Sequence, residues 1–114
     1  MHLIVRIAKW YASIDIDAQE DIYTIVGILK ELGPALGRPY VDTISESKHK
    51  NMKELRIQSK GRPFRVLFAF DPNRNAILLI GGDKTGKKRF YKEIIPKADV
   101  LYNDYLEDLK NEKI

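Results

Sequence analysis

The amino-acid sequence predicts an α+β fold in which an antiparallel β-sheet packs against an N-terminal helical hairpin and a C-terminal helix. Three observations predict it. Apolar residues recur at helical spacing over residues 17–33 and again over 91–109, and three short apolar runs punctuated by turn residues lie between these segments. The chain has 114 residues. Since this is the length of one ordinary domain, we expect a single domain over residues 1–114.

The first clear element is a helix over residues 17–33. Five aliphatic side chains form its apolar stripe: Ile22, Ile25, Val26, Leu29 and Leu32. Asp17 is the expected N-cap. Gly33 suits the C-terminal cap, and Pro34 prevents continuation. A shorter helix over residues 5–13 would complete the hairpin.

The middle of the chain predicts a meander of three strands, over residues 53–58, 64–70 and 76–82. The connections between them are short, which favours antiparallel neighbours. Residues 34–51 contain Pro34, Gly37 and Pro39, so we expect a loop there with at most a turn of helix.

Period-2 alternation assigns the side chains of the predicted strands to two faces. One face is apolar and is expected to pack against helix: Leu55, Ile57, Phe64, Val66, Phe68 and Phe70. Arg56 and Arg65 fall on the other face. We therefore expect two guanidinium groups to project from one open side of the sheet.

After a glycine turn the chain returns to helical spacing, from Tyr91 to Leu109. Pro96 falls inside this stretch. Because proline lacks an N–H and clashes with the preceding turn, we expect it to kink a continuous helix or to begin a second one.

The charge is concentrated in the middle of the chain. Residues 48–97 hold 14 Lys and Arg against 4 Asp and Glu, whereas acidic residues exceed basic ones in 1–47 and in 98–114. A block of this kind is the electrostatic footprint of a surface that meets phosphates. The remaining alternative is that these side chains are simply solvated.

The segment GGDKTGKK, residues 81–88, resembles a phosphate-binding P-loop. The match fails at Lys88, where that motif requires Ser or Thr for magnesium. We interpret the segment as a glycine turn that presents three lysines to a phosphate: Lys84, Lys87 and Lys88.

Several classes of protein are disfavoured by composition and spacing. The chain has no cysteine, and its two histidines, His2 and His49, are far apart. No HExxH or paired-carboxylate pattern occurs, so we expect neither a metal nor another cofactor. No apolar run approaches the ~20 residues of a membrane span, and no signal-peptide pattern begins the chain. We expect a soluble, cytoplasmic protein without a membrane partner.

Several motifs in consistent order resemble one family: LGRPYVDT (36–43), NMKELRIQ (51–58), GRPFRVLFAFDP (61–72), AILLIGGDKTG (76–86) and KRFYKEIIPKADVLY (88–102). Together they are similar to the HigB-type, phage-derived branch of the RelE/ParE toxin superfamily, over about residues 10–110. Relatives usually carry a β-strand before the helical hairpin. Few residues precede Trp10, so we expect this strand to be short, rearranged or missing.

The resemblance implies a cytoplasmic toxin of a type II toxin–antitoxin module. RelE and HigB relatives cleave messenger RNA on translating ribosomes without a metal. The partner it implies is a helix-turn-helix, HigA-like antitoxin, in a toxin–antitoxin hetero-oligomer. ParE members act on DNA gyrase, and fold alone does not decide the target. A gyrase inhibitor and a non-catalytic RNA-binding module therefore remain alternatives.

Candidate site residues follow from the basic block, read with this resemblance. The catalytic candidates are Arg56, Arg65, Lys84, Arg89 and Tyr91, and the RNA-binding candidates are Lys48, His49, Lys53, Lys87 and Lys88. Arginine forks match phosphate oxygens, and we expect Arg56, Arg65, Lys84 and Arg89 to converge in one pocket. Lys53, Lys84 and His49 remain open as proton carriers. Tyr91 is expected to stack on a base or orient the nucleotide.

Overall fold

A computed structural model describes residues 1–112. The predicted α+β class is confirmed. The elements in chain order are β1 Leu3–Val5, α1 Ala8–Ser13, α2 Ile16–Leu32, a 3₁₀ turn Gly33–Ala35, β2 Val41–Thr43, β3 Met52–Ser59, β4 Arg62–Phe70, β5 Ala76–Asp83 and α3 Phe90–Glu112.

The strands form one five-stranded sheet in the order β1-β5-β4-β3-β2. The predicted meander is confirmed as β3, β4 and β5, which pair antiparallel. The strand expected before the hairpin is present but has three residues, and it pairs parallel to β5. β2, within the predicted loop 34–51, was not expected, and it pairs antiparallel to β3.

The sheet is covered on both faces. The phenylalanine face of β4 packs against α1 and α2 as predicted, through buried residues such as Phe64 and Ile22. The opposite face was expected to be open, which is wrong. α3 lies across it and buries Leu67, Ala69 and Ile95. A helix with an apolar stripe must cover an apolar surface, and this half of the sheet supplies one.

The ends of α2 are set by local hydrogen bonds. Its N-cap is Asp15 and not Asp17, because the Asp15 carboxylate accepts a bond from the amide of Ala18 at 3.4 Å. The predicted C-cap is confirmed at Gly33, where φ is +57°. Residues 5–13 do not form one helix, since β1 ends at Val5 before α1 begins.

α3 runs without interruption from Phe90 to Glu112 and contains Pro96 in its interior. Of the two alternatives expected at Pro96, the structure has the continuous helix and not a second helix beginning there. Buried side chains on both sides of the proline, Ile95 and Ala98, hold the helix against the sheet. None of the helices described over residues 1–112 has the length and apolarity needed to cross a membrane.

Candidate functional site

The two predicted arginines are direct partners in the sheet. Arg56 of β3 pairs with Arg65 of β4, so their side chains leave the same face. Like charges placed opposite each other destabilise a strand pair unless a counterion is present. Glu54, two residues before Arg56 on the same face, supplies it. Its Oε1 lies 3.2 Å from Nε of Arg65, and its Oε2 lies 3.3 Å from Nη2 of Arg56.

Arg65 is buried, in contrast to the open position expected from the sequence. Its side chain is 9% exposed and that of Glu54 is 6% exposed. Nη1 donates to the carbonyl of Phe64 at 3.0 Å, while Nε lies at ion-pair distance from Glu54 without a hydrogen bond to any described residue. Buried charges persist only when paired, so the Glu54–Arg65 pair is a fixed part of this face.

Tyr91 joins the pair from the first turn of α3. Its hydroxyl donates to Oε1 of Glu54 at 2.6 Å. Burial, followed by this hydrogen bond, raises the pKa of Tyr91 above its ordinary value. Nζ of Lys84 lies 5.1 Å from the centre of the Tyr91 ring, within cation–π range. Five side chains are thus connected, and we call them the Glu54 cluster: Glu54, Arg56, Arg65, Lys84 and Tyr91.

Arg56 is the more accessible of the two arginines, with 38% of its side chain exposed. Its Nη2 also lies 3.3 Å from Oδ2 of Asp42. The amide of Thr43 donates to Asp42 and is the largest cause that lowers the pKa of that carboxyl. Arg56 therefore connects the buried Glu54 to the surface, where a ligand can reach it.

The glycine turn adopts a tight structure beside the cluster. Oδ1 of Asp83 accepts bonds from the amide of Thr85 at 2.9 Å and from its hydroxyl at 2.6 Å. Gly86 has φ of +67°, a value that favours glycine. The strand before the turn, β5, pairs antiparallel with β4 and parallel only with the three-residue β1, whereas a P-loop follows a strand of a parallel sheet. The amide of Lys84 donates to Pro63 at 2.9 Å, which anchors Lys84 next to β4.

The candidates at the turn remain exposed. Lys87, Lys88 and Arg89 are all exposed, and within the described chain their side chains make no ion pair. The expectation that Arg89 would join Arg56 and Arg65 in one pocket finds no contact to support it. These three residues form a cationic rim beside the cluster.

Three other candidates lie away from the Glu54 cluster: Lys53, His49 and Lys48. Lys53 shares the face of Leu55, opposite to that of Arg65, and its Nζ is 3.4 Å from Oγ1 of Thr43. Lys53 therefore does not join the Glu54 cluster, and its role in binding RNA stays a prediction. The alternation that paired Arg56 with Arg65 already placed Lys53 on the other face.

The third proton-carrier candidate, His49, lies near the far half of α3. Its Nε2 is 2.8 Å from Oδ1 of Asn103, and its ring packs edge-on against Tyr102. Asn103 is twelve residues after Tyr91, or about 18 Å along the helix axis. Lys48 is held in the same loop through its amide, which bonds Asp99 at 3.1 Å. His49 and Lys48 thus belong to a separate surface.

Glu54 was missed as a site residue, although a signal for it was present. It is the only carboxylate in the predicted strands of the basic block, and alternation places it beside Arg56. A lone acid on a cationic face predicts an ion pair. Groups of His, Cys, Asp and Glu able to hold a metal do not occur in the part of the chain described by the structure.

The arrangement is suited to binding an anion. Arg56, Arg65 and Lys84 outnumber the carboxylates of Glu54 and Asp42, and guanidinium groups match phosphate geometry. Tyr91 adds a hydroxyl that is protonated at neutral pH, as an ordinary phenol is, and burial raises its pKa further. A bound phosphate would meet positive charge and a proton donor on the same side.

Comparison with known proteins gives consistent relatives. Residues 9–103 match the family model described as "Phage derived protein Gp49-like". Two Mycobacterium tuberculosis proteins are each 44% identical to the chain, "Putative toxin HigB2" over 112 residues and "Putative toxin HigB3" over 105 residues. These alignments cover 96% and 91% of this chain. The chain spans 56% of the length of the first relative and 90% of the second. No solved structure matches the chain significantly.

Proposed function

The chain belongs to the phage-derived Gp49-like family as a HigB-like toxin, and we propose that it cleaves messenger RNA through the Glu54 cluster. The observation that carries this proposal is that Arg56, Arg65 and Tyr91 meet around one buried carboxylate, with Lys84 over the Tyr91 ring. The substrate atoms are the 2′-hydroxyl, the adjacent phosphorus and the 5′-oxygen that leaves.

The main contribution of the cluster is electrostatic. As the 2′-hydroxyl gives its proton to solvent water and its oxygen bonds to phosphorus, the bond to the 5′-oxygen breaks and negative charge grows on the non-bridging phosphate oxygens. Arg56 and Arg65 are held in place by Glu54 before substrate arrives, so little reorganisation is needed. One such preorganised contact lowers a barrier by roughly 2.7–4 kcal/mol. Cationic side chains thus supply the charge stabilisation, and the reaction needs no metal.

Tyr91 is the proposed proton donor to the leaving 5′-oxygen. A phenol is protonated at neutral pH at its ordinary pKa, and the developing 5′-alkoxide is a stronger base than a phenolate, so the Tyr91 hydroxyl can give up its proton there. Glu54 is a positioning residue, because it holds both guanidinium groups and the Tyr91 hydroxyl. Lys87, Lys88 and Arg89 would hold the RNA backbone at the rim.

The proposed partner is an antitoxin of the helix-turn-helix type, and the proposed setting is the translating ribosome. The toxin names of the relatives support an antitoxin partner, and its helix-turn-helix type is proposed from the resemblance to the HigB branch. The ribosomal setting is supported by chemistry: in-line attack requires the strand to be held in one geometry, and an assembly that fixes the message supplies this positioning.

The test is to express the chain briefly in cells, and separately to add it to a ribosome-containing translation system. RNA incubated with the protein in the presence and absence of EDTA shows whether cleavage needs a metal. We expect new transcript ends that carry a 2′,3′-cyclic phosphate upstream and a 5′-hydroxyl downstream. Arg65→Lys keeps the charge but loses the fork, and it should reduce cleavage by about 100-fold or more. The control Lys110→Ala removes one exposed positive charge at the far end of α3. This variant should cleave RNA at the same rate as the unaltered chain.

Other outcomes identify other functions. Growth arrest with intact transcripts and DNA breaks would indicate a gyrase inhibitor. RNA that is retained by the protein without new ends would indicate a binding module. Cleavage by Arg65→Lys equal to that of the unaltered chain would contradict the role assigned to the Glu54 cluster.

A further inference from the structure

A cleft of about 460 Å³ adjoins the Glu54 cluster and is not used by the proposed reaction. Ligand pockets have volumes of about 300–1,000 Å³. Helix α2 lines one side, and the edge of β3 and the segment before β2 line the other. The lining residues are Asp21, Thr24, Ile25, Pro39, Tyr40, Arg56, Gln58 and Arg65. Arg56 and Arg65 therefore belong to both the cleft and the cluster.

The cleft exists because β2 is shorter than β3. β2 begins at Val41, which pairs with Leu55, and the amide of Arg56 donates to the carbonyl of Tyr40 at 2.7 Å. Beyond this bond no strand lies beside β3 on that edge. Backbone groups alternate along a strand, so those of Gln58 face the same edge as those of Arg56. The cleft wall thus carries backbone and side-chain groups able to hydrogen-bond.

The side chain of Asp21 is the unusual group in this lining. It is partly buried on α2, and across residues 1–112 it has neither a hydrogen bond nor an ion pair. The other acids of the molecule that line the cluster are paired, as Glu54 and Asp42 show. A carboxylate kept unpaired in a cleft is available to accept hydrogen bonds from a ligand.

We propose that this cleft binds the base of the RNA nucleotide next to the cleaved phosphate, and that Asp21 makes it selective for guanine. The inference rests on the proposed function. Guanine carries a ring N–H and an amino group side by side on one edge, and a carboxylate accepts both. Adenine and cytosine offer one amino donor on that edge, and uracil offers a single N–H between two carbonyls.

The rest of the lining fits the same ligand. Tyr40 and Pro39 supply flat apolar surface of the kind on which bases stack. Arg56 connects the place of the base to the place of the phosphate. Its side chain lines the cleft and also contacts the Glu54 carboxylate at the centre of the cluster. A base in the cleft would place its phosphate beside the cluster. Because Arg56 and Arg65 belong to both the cleft and the cluster, a ligand that joins a base to a phosphate fits better than a basic peptide.

The experiment has a binding arm and a cleavage arm, both with the full chain. The first titrates GMP and, separately, UMP into the purified protein and follows the amide signals of residues 21, 40 and 58 by NMR. We expect GMP to bind and Asp21→Asn to weaken it by about tenfold, within the range for loss of a bidentate base contact. UMP affinity should not change. Glu31→Gln, which alters an exposed acid on the same helix outside the cleft, should leave GMP binding unchanged.

The cleavage arm maps transcript ends. The unaltered chain should cut next to guanine, and Asp21→Asn should cut those sites about tenfold less while other sites are unaffected. Cleavage with an unchanged site preference and unchanged GMP binding would overturn the inference and leave the endonuclease intact. Absence of all cleavage, together with Asp21-dependent GMP binding, would overturn the proposed function instead and still support a guanine site.

A third result separates RNA from protein as the occupant. If Asp21→Asn weakens the complex with the antitoxin and leaves GMP binding unchanged, the cleft is a protein-binding site and the inference is wrong. Gln58→Ala provides a second variant, since it removes an exposed neighbour of Asp21 in the lining. This variant should also weaken the binding of GMP, by about threefold, and the chain should remain folded.

Discussion

The hydroxyl of Tyr91 and the carboxylate of Glu54 form a 2.6 Å hydrogen bond between residues 37 positions apart in the chain. This bond ties the first turn of α3 to β3, at the point where Glu54 also holds two arginines. One carboxylate therefore connects Arg56 and Arg65 to the residue proposed as the acid. The first two predictions follow from this connection.

Tyr91→Phe removes the hydroxyl and keeps the ring on which Lys84 lies. We expect the single-turnover cleavage rate to fall by about 100-fold, the lower end of the contribution of a general acid. The loss in free energy of unfolding should be only about 1 kcal/mol, since Glu54 keeps its two arginine partners. Urea unfolding measures the second quantity. A rate within about threefold of the unaltered chain would exclude Tyr91 as the acid.

Glu54→Ala should be far more damaging to stability, because it leaves the buried Arg65 without its counterion. We expect a loss of about 3–5 kcal/mol in the free energy of unfolding. The double variant, Glu54→Gln with Arg65→Gln, should lose less free energy of unfolding than the sum of the losses for Glu54→Gln alone and Arg65→Gln alone. Denaturant titration of all variants forms a double-mutant cycle. Glu107→Ala, at an exposed site on α3, is the control and should change stability by no more than about 0.5 kcal/mol. Strict additivity would show that the pair does not interact.

Gly81→Ala should destabilise the sheet by roughly 1–3 kcal/mol, since a Cβ there would overlap the indole of Trp10. Trp10 is the only tryptophan in the chain, so its fluorescence reports the displacement directly. Gly27→Ala is the matched control, because nothing lies within 4 Å of the Cβ position in α2. It should stabilise the chain by about 0.5–1 kcal/mol through helix propensity. Equal effects at the two glycines would contradict the packing described.

The pair Asp15–Arg62 predicts a pH dependence of stability. Arg62 donates two bonds to Asp15, at 2.8 and 2.9 Å, and they lower the pKa of Asp15 from 3.8 to about 2. In the unfolded chain the carboxyl regains its ordinary pKa, so the unfolded state binds the proton first as pH falls. The stabilisation is therefore complete above pH 3.8 and is lost between that value and about 2.

Urea unfolding at several pH values tests this pair. Asp15→Asn keeps an N-cap for α2 but removes the charge. We expect it to be less stable than the unaltered chain at pH 6, and we expect the difference to shrink as pH falls through 3.8 toward 2. Asp108→Asn changes an exposed acid without an ion pair among the described residues, and its curve should run parallel to that of the unaltered chain. A difference for Asp15→Asn that stays constant with pH would refute the linkage.

Much of the sheet could be predicted because alternation is a local property. The pairing of Arg56 with Arg65 follows from two strands of known period joined by a short turn. The same rule already places Lys53 on the face opposite to Arg56. The N-cap of α2 was misplaced by two residues, since Asp15 and Asp17 are both good caps and local pattern does not distinguish them.

The burial of the site could not be predicted in the same way. The apolar stripe on α3 predicts that the helix packs against the sheet. It does not predict which face of the sheet the helix covers, or which strand residues its first turn contacts. The contact of Tyr91 with Glu54 depends on that placement. The parallel pairing of β1 with β5 likewise joins residues more than seventy positions apart, and no local signal specifies it.

The parts of the Glu54 cluster are made at different times during synthesis. Arg56 and Arg65 lie near the middle of the chain, whereas Lys84 and Tyr91 come from its last third. A nascent polypeptide that has produced both arginines still lacks Tyr91 and the helix that shields them from water. The cluster is therefore complete only once α3 has been made, and the proposed cleavage requires a nearly full-length molecule.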